Sequence, residues 1–326
     1  MTTEHEINAD ARRDALLQWL GAHYSDAVSL RPVATDAGAR RYFRFNDNGN
    51  TLIAADAPPE SEDNAEFLAV SKELLDAGIR VPAQYRADLE MGFLVMEDLG
   101  DHLFGHAIAA ETPEPWYDRA IDLLAKIHSL SPATRPQYDR ALVVRELSQF
   151  TDHYLPAFGA QFSDAERVRW RGLCDWLSEG FCELEPVWTH RDYHCRNLFA
   201  LPNGTVGVID YQGALAAPPG YDLASLLRDC YVDVPQSLFE RSVSRYADAR
   251  GLADTHSLTR NIDLLGMQRH IKCLGAFVRF DRQLGKPQYL QALPQVADYL
   301  RSVAERYTEA QFLPELLARY PVRALL

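Results

Sequence analysis

The stretch "VWTHRDYHCRNLFALPNGTVGVIDYQGA", from Val187 to Ala214, sets Asp192, Asn197 and Asp210 close together along the chain. A carboxylate and an amide oxygen held side by side can share one hard cation. Mg²⁺ takes few protein oxygens and fills its other positions with water and phosphate. A further carboxylate nearby can accept the proton of a hydroxyl. Asn203-Gly204 lies between the apolar runs Leu198-Phe199-Ala200 and Val206-Gly207-Val208-Ile209. That pattern predicts a two-residue β-hairpin whose centre falls between the turn residues. Positions 197 and 210 would then be opposed on one face, with Cβ atoms about 5 Å apart.

His190-Arg191-Asp192, four residues and then Asn197 match the H-R-D-x-x-x-x-N pattern of kinase catalytic loops. In that pattern the aspartate takes the substrate hydroxyl's proton, and the asparagine with a later aspartate holds Mg²⁺. Read blandly, the same residues are only loop and turn formers. In a third reading, His190, Asp192 and His194 alternate along an extended segment and bind Zn²⁺ as in a hydrolase, which leaves Asn197 and Asp210 without a task.

Elements must position these groups. The 326 residues suffice for one large domain or two ordinary ones. At 47% hydrophobic and 24% charged, the composition is that of a soluble globular protein. A net charge of −13 opposes binding to nucleic acid or anionic membrane. The five cysteines contain no C-x-x-C pair and make a poor disulfide framework. The start "MTTEHEINADARRD" has no apolar signal region and no run approaches the ~20 residues of a membrane span, so a reduced cytoplasm is the expected compartment.

Residues 10–22 carry Ala15, Leu16, Trp19 and Leu20 at helical spacing. "RRYFRF" and "TLIAADA" flank an Asn48-Gly49 hairpin signal. Asp63 with Glu66 reads as a capping box for a helix whose apolar face is Phe67, Leu68, Val70, Leu74 and Leu75, ended by Gly78. "IRVPAQYRAD" and "MGFLVMEDL" read as strands. Beyond Gly100 helical periodicity dominates, interrupted by the catalytic hairpin. The expected fold is α+β and two-lobed. A small β-rich lobe spans 1–100, and a larger, mostly helical lobe spans 101–326.

"HRDYHCRN", "VIDYQGA" and "PPGYDLASLLRD" resemble the aminoglycoside phosphotransferase family, which has the protein-kinase-like fold. "DAGARRYFR", "ADAPPE", "VMEDLGD" and "MQRHIKCLGAFVRF" are similar to one subgroup, the anomeric N-acetylmuramate/N-acetylglucosamine kinases of cell-wall recycling. The resemblance implies ATP and Mg²⁺ as cofactors and an amino sugar phosphorylated at its C1 hydroxyl. It implies no nucleic acid, membrane or obligate protein partner. It implies Asp192 as catalytic base, Asn197 and Asp210 as metal ligands, and Asp222 as an acid that braces the catalytic loop. Asp222 could equally cap the helix that follows it. Met96, Glu97 and Leu99 would lie at an adenine-binding hinge or simply at a strand end. His190, Asp229, Arg269 and Lys272 are the implied acceptor contacts. Arg269, Lys272 and Arg279 also fall on one helical stripe that could be solvated surface.

The family's strand lysine, usually paired with a helix glutamate, is missing from "TLIAADAPPE". Glu66 fits the glutamate. Arg41 opposes Asp56 in the expected hairpin, whereas Arg44 opposes Ile53, which makes Arg44 the favoured replacement cation. "DAGARR" has one glycine where a kinase phosphate loop has three. "YQGALAAPPGY", between Asp210 and Asp222, is too short for an activation loop and has no Ser or Thr, so the acceptor is expected to be a small molecule. An aminoglycoside, choline or homoserine kinase, a non-catalytic nucleotide-binding scaffold and a zinc hydrolase are the alternatives.

Overall fold

The computed structural model describes residues 4–25, 29–33, 39–181 and 184–326. They fall into two compact units, residues 1–102 with 201–212, and residues 103–200 with 213–326.

The first unit holds a five-stranded antiparallel sheet. Its strands are β1 (Arg31–Pro32), β2 (Arg41–Asp47), β3 (Asn50–Asp56), β4 (Gln84–Asp88) and β5 (Phe93–Glu97), in the order β1-β2-β3-β5-β4. Asn48 and Gly49 have φ of 50° and 78°, the pair of positive values that a two-residue hairpin turn needs. The register sets Arg44 against Ile53 and Arg41 against Asp56, as the turn position predicts. Phe43 and Phe45 alternate inward along β2 and pack with Phe93 and Val95 against Leu16, Trp19 and Leu20 of α1 (Glu4–Gly21). Fully buried Asp56 accepts from Arg12 Nε at 2.8 Å and Arg41 Nε at 3.0 Å, tying α1 to the end of the central strand β3. The helix α2 (Asn64–Asp76) is capped as expected, with Glu66 N donating to Asp63 Oδ1 at 2.9 Å. Phe67, Val70 and Leu74 are buried, but Leu75 is 37% exposed because it falls outside their narrower stripe.

The second unit is built on the 30-residue helix Thr255–Leu284. Leu264, Leu265, Met267, Ile271, Leu274, Phe277 and Val278 of that helix are buried in the core it shares with Arg140–Gln149, Gly220–Leu227 and Leu293–Ala304. After Gln149 the chain makes a π-helical turn, Phe150–Tyr154. Phe150 stacks on Tyr154 at 4.8 Å and on Trp170 at 5.3 Å. Strand β6 (Val187–Thr189) pairs antiparallel with Leu215–Ala217, so the loop that starts at His190 leaves a buried strand end. Residues 36–38 of the stretch weighed as a phosphate loop, "DAGARR", lie outside the described residues. No described helix is long and apolar enough to cross a membrane.

The long helix touches backbone at Gly275. A Cβ there would sit 1.9 Å from the Gln149 carbonyl oxygen and 2.7 Å from the Phe150 amide nitrogen. Rigid backbone cannot swing aside as a side chain can. Gly275→Ala should therefore destabilise by at least the ~1–3 kcal/mol typical of overpacking. Urea unfolding checks it, and an unchanged midpoint would mean that the helices separate freely here.

Candidate active site

The segment 190–197 is folded on itself. His194 N donates to Asp192 O at 3.0 Å, and Asn197 N donates to His194 O at 2.9 Å. Asn197, 2% exposed, donates Nδ2 to the Asp192 carbonyl at 3.0 Å. The segment is therefore not the extended one that a His190–Asp192–His194 zinc site requires. Among the described residues no three His, Cys, Asp or Glu side chains are grouped to hold a metal.

Two buried carboxylates fix this loop. Asp222, fully buried in the first turn of the helix Gly220–Leu227, accepts from His190 N and Arg191 N, both at 2.7 Å. The same carboxylate meets His128 Nε2 at 3.0 Å, and His128 Nδ1 meets the Tyr246 hydroxyl at 2.7 Å. The helix N-cap is Pro219, so Asp222 does not cap it. Arg191 is held at φ 78°, a left-handed conformation that a bulky residue adopts only under constraint. Asp229, fully buried, accepts from Cys195 N and Tyr231 N, both at 2.9 Å. Asp229 was expected to contact the acceptor; in the structure each of its oxygens takes one loop amide.

A third buried carboxylate, Glu146, was not anticipated. It accepts from Lys272 Nζ and Gln268 Nε2 at 2.8 Å and from the Tyr138 hydroxyl at 3.2 Å, and it closes on Arg191. Burial works to raise its pKa, but the Lys272 and Arg191 charges outweigh that and hold it at about 2. No local signal marks Glu146 in the sequence, since Arg191 lies 45 positions away and Lys272 lies 126 away.

Half-buried Asp192 stands among these cations. Burial pushes its carboxyl upward, but Lys272, His194, Arg269 and Arg191 hold it well below the usual carboxylate range. It is an ionised acceptor at neutral pH. Arg269 is only 4% exposed and donates Nη1 to Cys230 Sγ at 3.2 Å. Lys272 is half-buried and paired. The stripe is thus not a solvated face. His190, 1% exposed, lies edge-on to Tyr193, with its Nδ1 accepting from Asp192 N at 3.3 Å.

In the sheet unit, Leu201 N donates to Thr205 O and Gly204 N to Leu201 O, both at 2.9 Å. Only Gly204 of the turn has positive φ, at 77°. This is a three-residue loop with a glycine bulge, not the expected two-residue turn. Its centre moves to Asn203, so 197 and 210 cease to be mirror positions. Asn203 Oδ1 accepts from Thr205 N and Oγ1 at 3.1 and 2.7 Å, which favours the longer loop. Asp210 has φ 64°, and its Oδ1 accepts from Gln212 Nε2 at 2.7 Å. Left-handed backbone at a non-glycine residue stores strain of the kind found at functional positions.

Arg44 was expected to lack a local partner. It has two, Asp98 at 2.6 Å and Asp101 at 2.9 Å, and hydrogen bonding to these carboxylates raises its pKa further. Glu66 is half-buried in the first turn of α2. Met96 is buried on β5, and Leu99 follows the strand half-buried. The Glu97 carboxylate is gripped by Arg80 at 2.5 and 2.6 Å, which lowers its pKa, and its amide donates to Ala83 O at 2.8 Å. The Glu97 N–H is therefore engaged in the sheet.

The fold, with a small antiparallel sheet and a mainly helical unit, is similar to that of solved proteins. A choline/ethanolamine kinase family protein from Mesorhizobium loti superposes with TM-score 0.65 at 13% identity, covering 94% of this chain and 99% of that one. A Pseudomonas putida protein named N-acetylmuramate/N-acetylglucosamine kinase is 35% identical over 95% of this chain and 96% of its own length. A Neisseria meningitidis protein of the same name is 34% identical over 94% and 95%. The profile of the phosphotransferase enzyme family matches residues 29–258, a span that includes the sheet, the loop 190–197 and Asp222. With that span matched and relatives aligned along nearly its whole length, the chain belongs to the phosphotransferase enzyme family.

Proposed function

We propose that the chain is an ATP- and Mg²⁺-dependent kinase acting on the anomeric C1 hydroxyl of N-acetylmuramate and N-acetylglucosamine, as in peptidoglycan recycling. The observation that carries this reading is identity of 34–36% along at least 89% of three relatives that bear that name. The surroundings of Asp192 support it. Lys272, Arg269 and Arg191 make that neighbourhood cationic, which suits an acceptor with a carboxylate and opposes the aminoglycoside or choline alternatives.

In this reading Asp192 accepts a hydrogen bond from the C1 hydroxyl and orients it. That oxygen forms a bond to the γ-phosphorus as the bond to the departing ADP oxygen breaks, and the hydroxyl proton passes to Asp192. A carboxylate held at such low pKa is a weak base. The proton therefore transfers late, when bond formation has made the hydroxyl acidic. Asn197 and Asp210 offer the hard oxygen donors that Mg²⁺ prefers. The ion would neutralise charge on the phosphates.

The first test is turnover with ATP, Mg²⁺ and a panel of amino sugars, aminoglycosides and choline. Phosphorylation of choline or an aminoglycoside alone would overturn the acceptor assignment. Asp192→Asn should lower kcat about 10²–10⁴-fold with little change in ATP affinity. Unchanged kcat would remove Asp192 from the chemistry.

Asp210→Asn should raise the Mg²⁺ concentration for half-maximal activity and nearly abolish turnover, because one anionic ligand is lost. Titration with Mg²⁺ reads this directly. A parent-like curve would assign the metal elsewhere.

The two sugars differ by the lactyl carboxylate of N-acetylmuramate. Arg269 donates to a thiol and has capacity for an anion. A charge-assisted bond is worth roughly 1.5–3 kcal/mol, so Arg269→Gln should lower kcat/KM about ten- to hundredfold for N-acetylmuramate and less for N-acetylglucosamine. Lys272→Ala should harm both sugars alike, since it strips Glu146 of a partner. Equal losses in Arg269→Gln would place Arg269 on groups common to both sugars.

A further inference from the structure

The arginines of the sheet unit are mostly committed to carboxylates. Arg12 and Arg41 close on Asp56, Arg44 on Asp98 and Asp101, and Arg80 on Glu97. Arg40 is built differently. It is 5% exposed, with its guanidinium 4.3 Å from the centroid of the Phe67 ring. Its Nη2 meets Glu62 Oε2 at 3.2 Å and Asn64 Oδ1 at 3.3 Å, and its guanidinium also acts on the Tyr42 hydroxyl by charge and hydrogen bond. Asn64 is itself anchored, donating Nδ2 to Ala57 O at 2.8 Å. Arg40 Nε and Nη1 are buried without a hydrogen-bond acceptor within reach among the described residues. The three N–H groups of these two nitrogens are unfavourable on a buried cation unless an anion completes them.

The neighbourhood says which anion. The Tyr42 hydroxyl is pushed up to about 12, by burial first and then by Asp210 and Glu62, with Arg40 acting in the opposite sense. The geometry agrees: the Phe67 ring under the Arg40 guanidinium stacks on Tyr211 at 5.2 Å, and Tyr211 directly follows Asp210, all within the sheet unit. Asp210 is the carboxylate assigned to Mg²⁺ above, and a cation beside a Mg²⁺ ligand is where the phosphates of a nucleotide would run. Strand β3 has buried Ala54 and Ala55 and no lysine. A guanidinium from the residue before β2, steadied by a carboxylate just ahead of α2, supplies the same pair of charges from different chain positions. Its planar fork also offers two donors to one phosphate, which an ammonium cannot match in geometry.

We propose that Arg40, held by Glu62 and Phe67, binds the phosphate chain of ATP beside Asp210 and takes the task that a strand lysine performs in other kinases. The assignment rests on the ATP-dependent reading above. Glu62, rather than Glu66, is its carboxylate partner.

The test compares ATP and adenosine binding by calorimetry in the full chain, with Mg²⁺ present and no sugar. Arg40→Met keeps an unbranched stem over Phe67, and Arg40→Lys keeps the charge. Arg40→Met should weaken ATP about ten- to hundredfold and leave adenosine within about twofold, with Arg40→Lys between Met and parent. Thermal melts of both variants verify folding. ATP and adenosine weakening together, or neither changing, would overturn the assignment and make Arg40 a packing residue. If the parent phosphorylates the sugars while Arg40→Met binds ATP as the parent does, only this assignment falls. If the parent binds no ATP, the kinase reading falls with it.

Discussion

Asp222 is the constraint on which the rest of the helical unit turns. A carboxylate removed wholly from water is strongly unfavourable unless charge-assisted bonds replace its hydration. Here the replacements are two loop amides at 2.7 Å and the His128 ring. Burial therefore does more than stabilise, because it dictates the backbone. The amides of His190 and Arg191 can both reach the two carboxylate oxygens with Arg191 in a left-handed conformation, and that kink aims the next residue, Asp192. Asp229 repeats the device at Cys195, so two buried acids pin the loop through its backbone.

The side chain that leaves this kink enters the third buried acid. Arg191 closes on Glu146, which also takes Lys272, Gln268 and Tyr138. In protein kinases an arginine at this place in the motif can await a phosphate on an activation loop. Here a permanent carboxylate occupies it. The short segment between Asp210 and Asp222, with no Ser or Thr, is consistent with an arginine that needs no switch. The chemistry of the loop and the brevity of the segment after it are two sides of one arrangement.

What the sequence disclosed follows the range of the interactions. The hairpin at Asn48-Gly49 and the Asp63 cap were legible because turn and cap chemistry act over two to four residues. The hairpin at Asn203-Gly204 was misread by one residue, because Asn203 used its side chain on Thr205 and left the positive φ to Gly204 alone. Arg44 seemed unpaired because Asp98 and Asp101 lie 54 and 57 positions away. Glu146 and the bracing role of Asp229 were invisible for the same reason. Motif residues announce themselves by spacing, whereas the groups that set their charge and orientation are brought in by tertiary packing.

Charge balance around Asp192 shows why that distinction matters. Asp192 and Glu146 face Lys272, Arg191 and Arg269 in the helical unit. Glu146 takes up much of the positive charge of Lys272 and Arg191, and Arg269 donates to a neutral thiol. Ionised Asp192 offsets part of what remains. If Asp192 takes up the acceptor's proton as proposed, that offset weakens and the cationic surplus grows. An acceptor that brings its own carboxylate restores the balance as the proton moves, so its charge would favour the transition state more than the ground state. A neutral sugar lacks this compensation. On this argument the same cations that keep Asp192 ionised also bias the unit toward the acidic sugar.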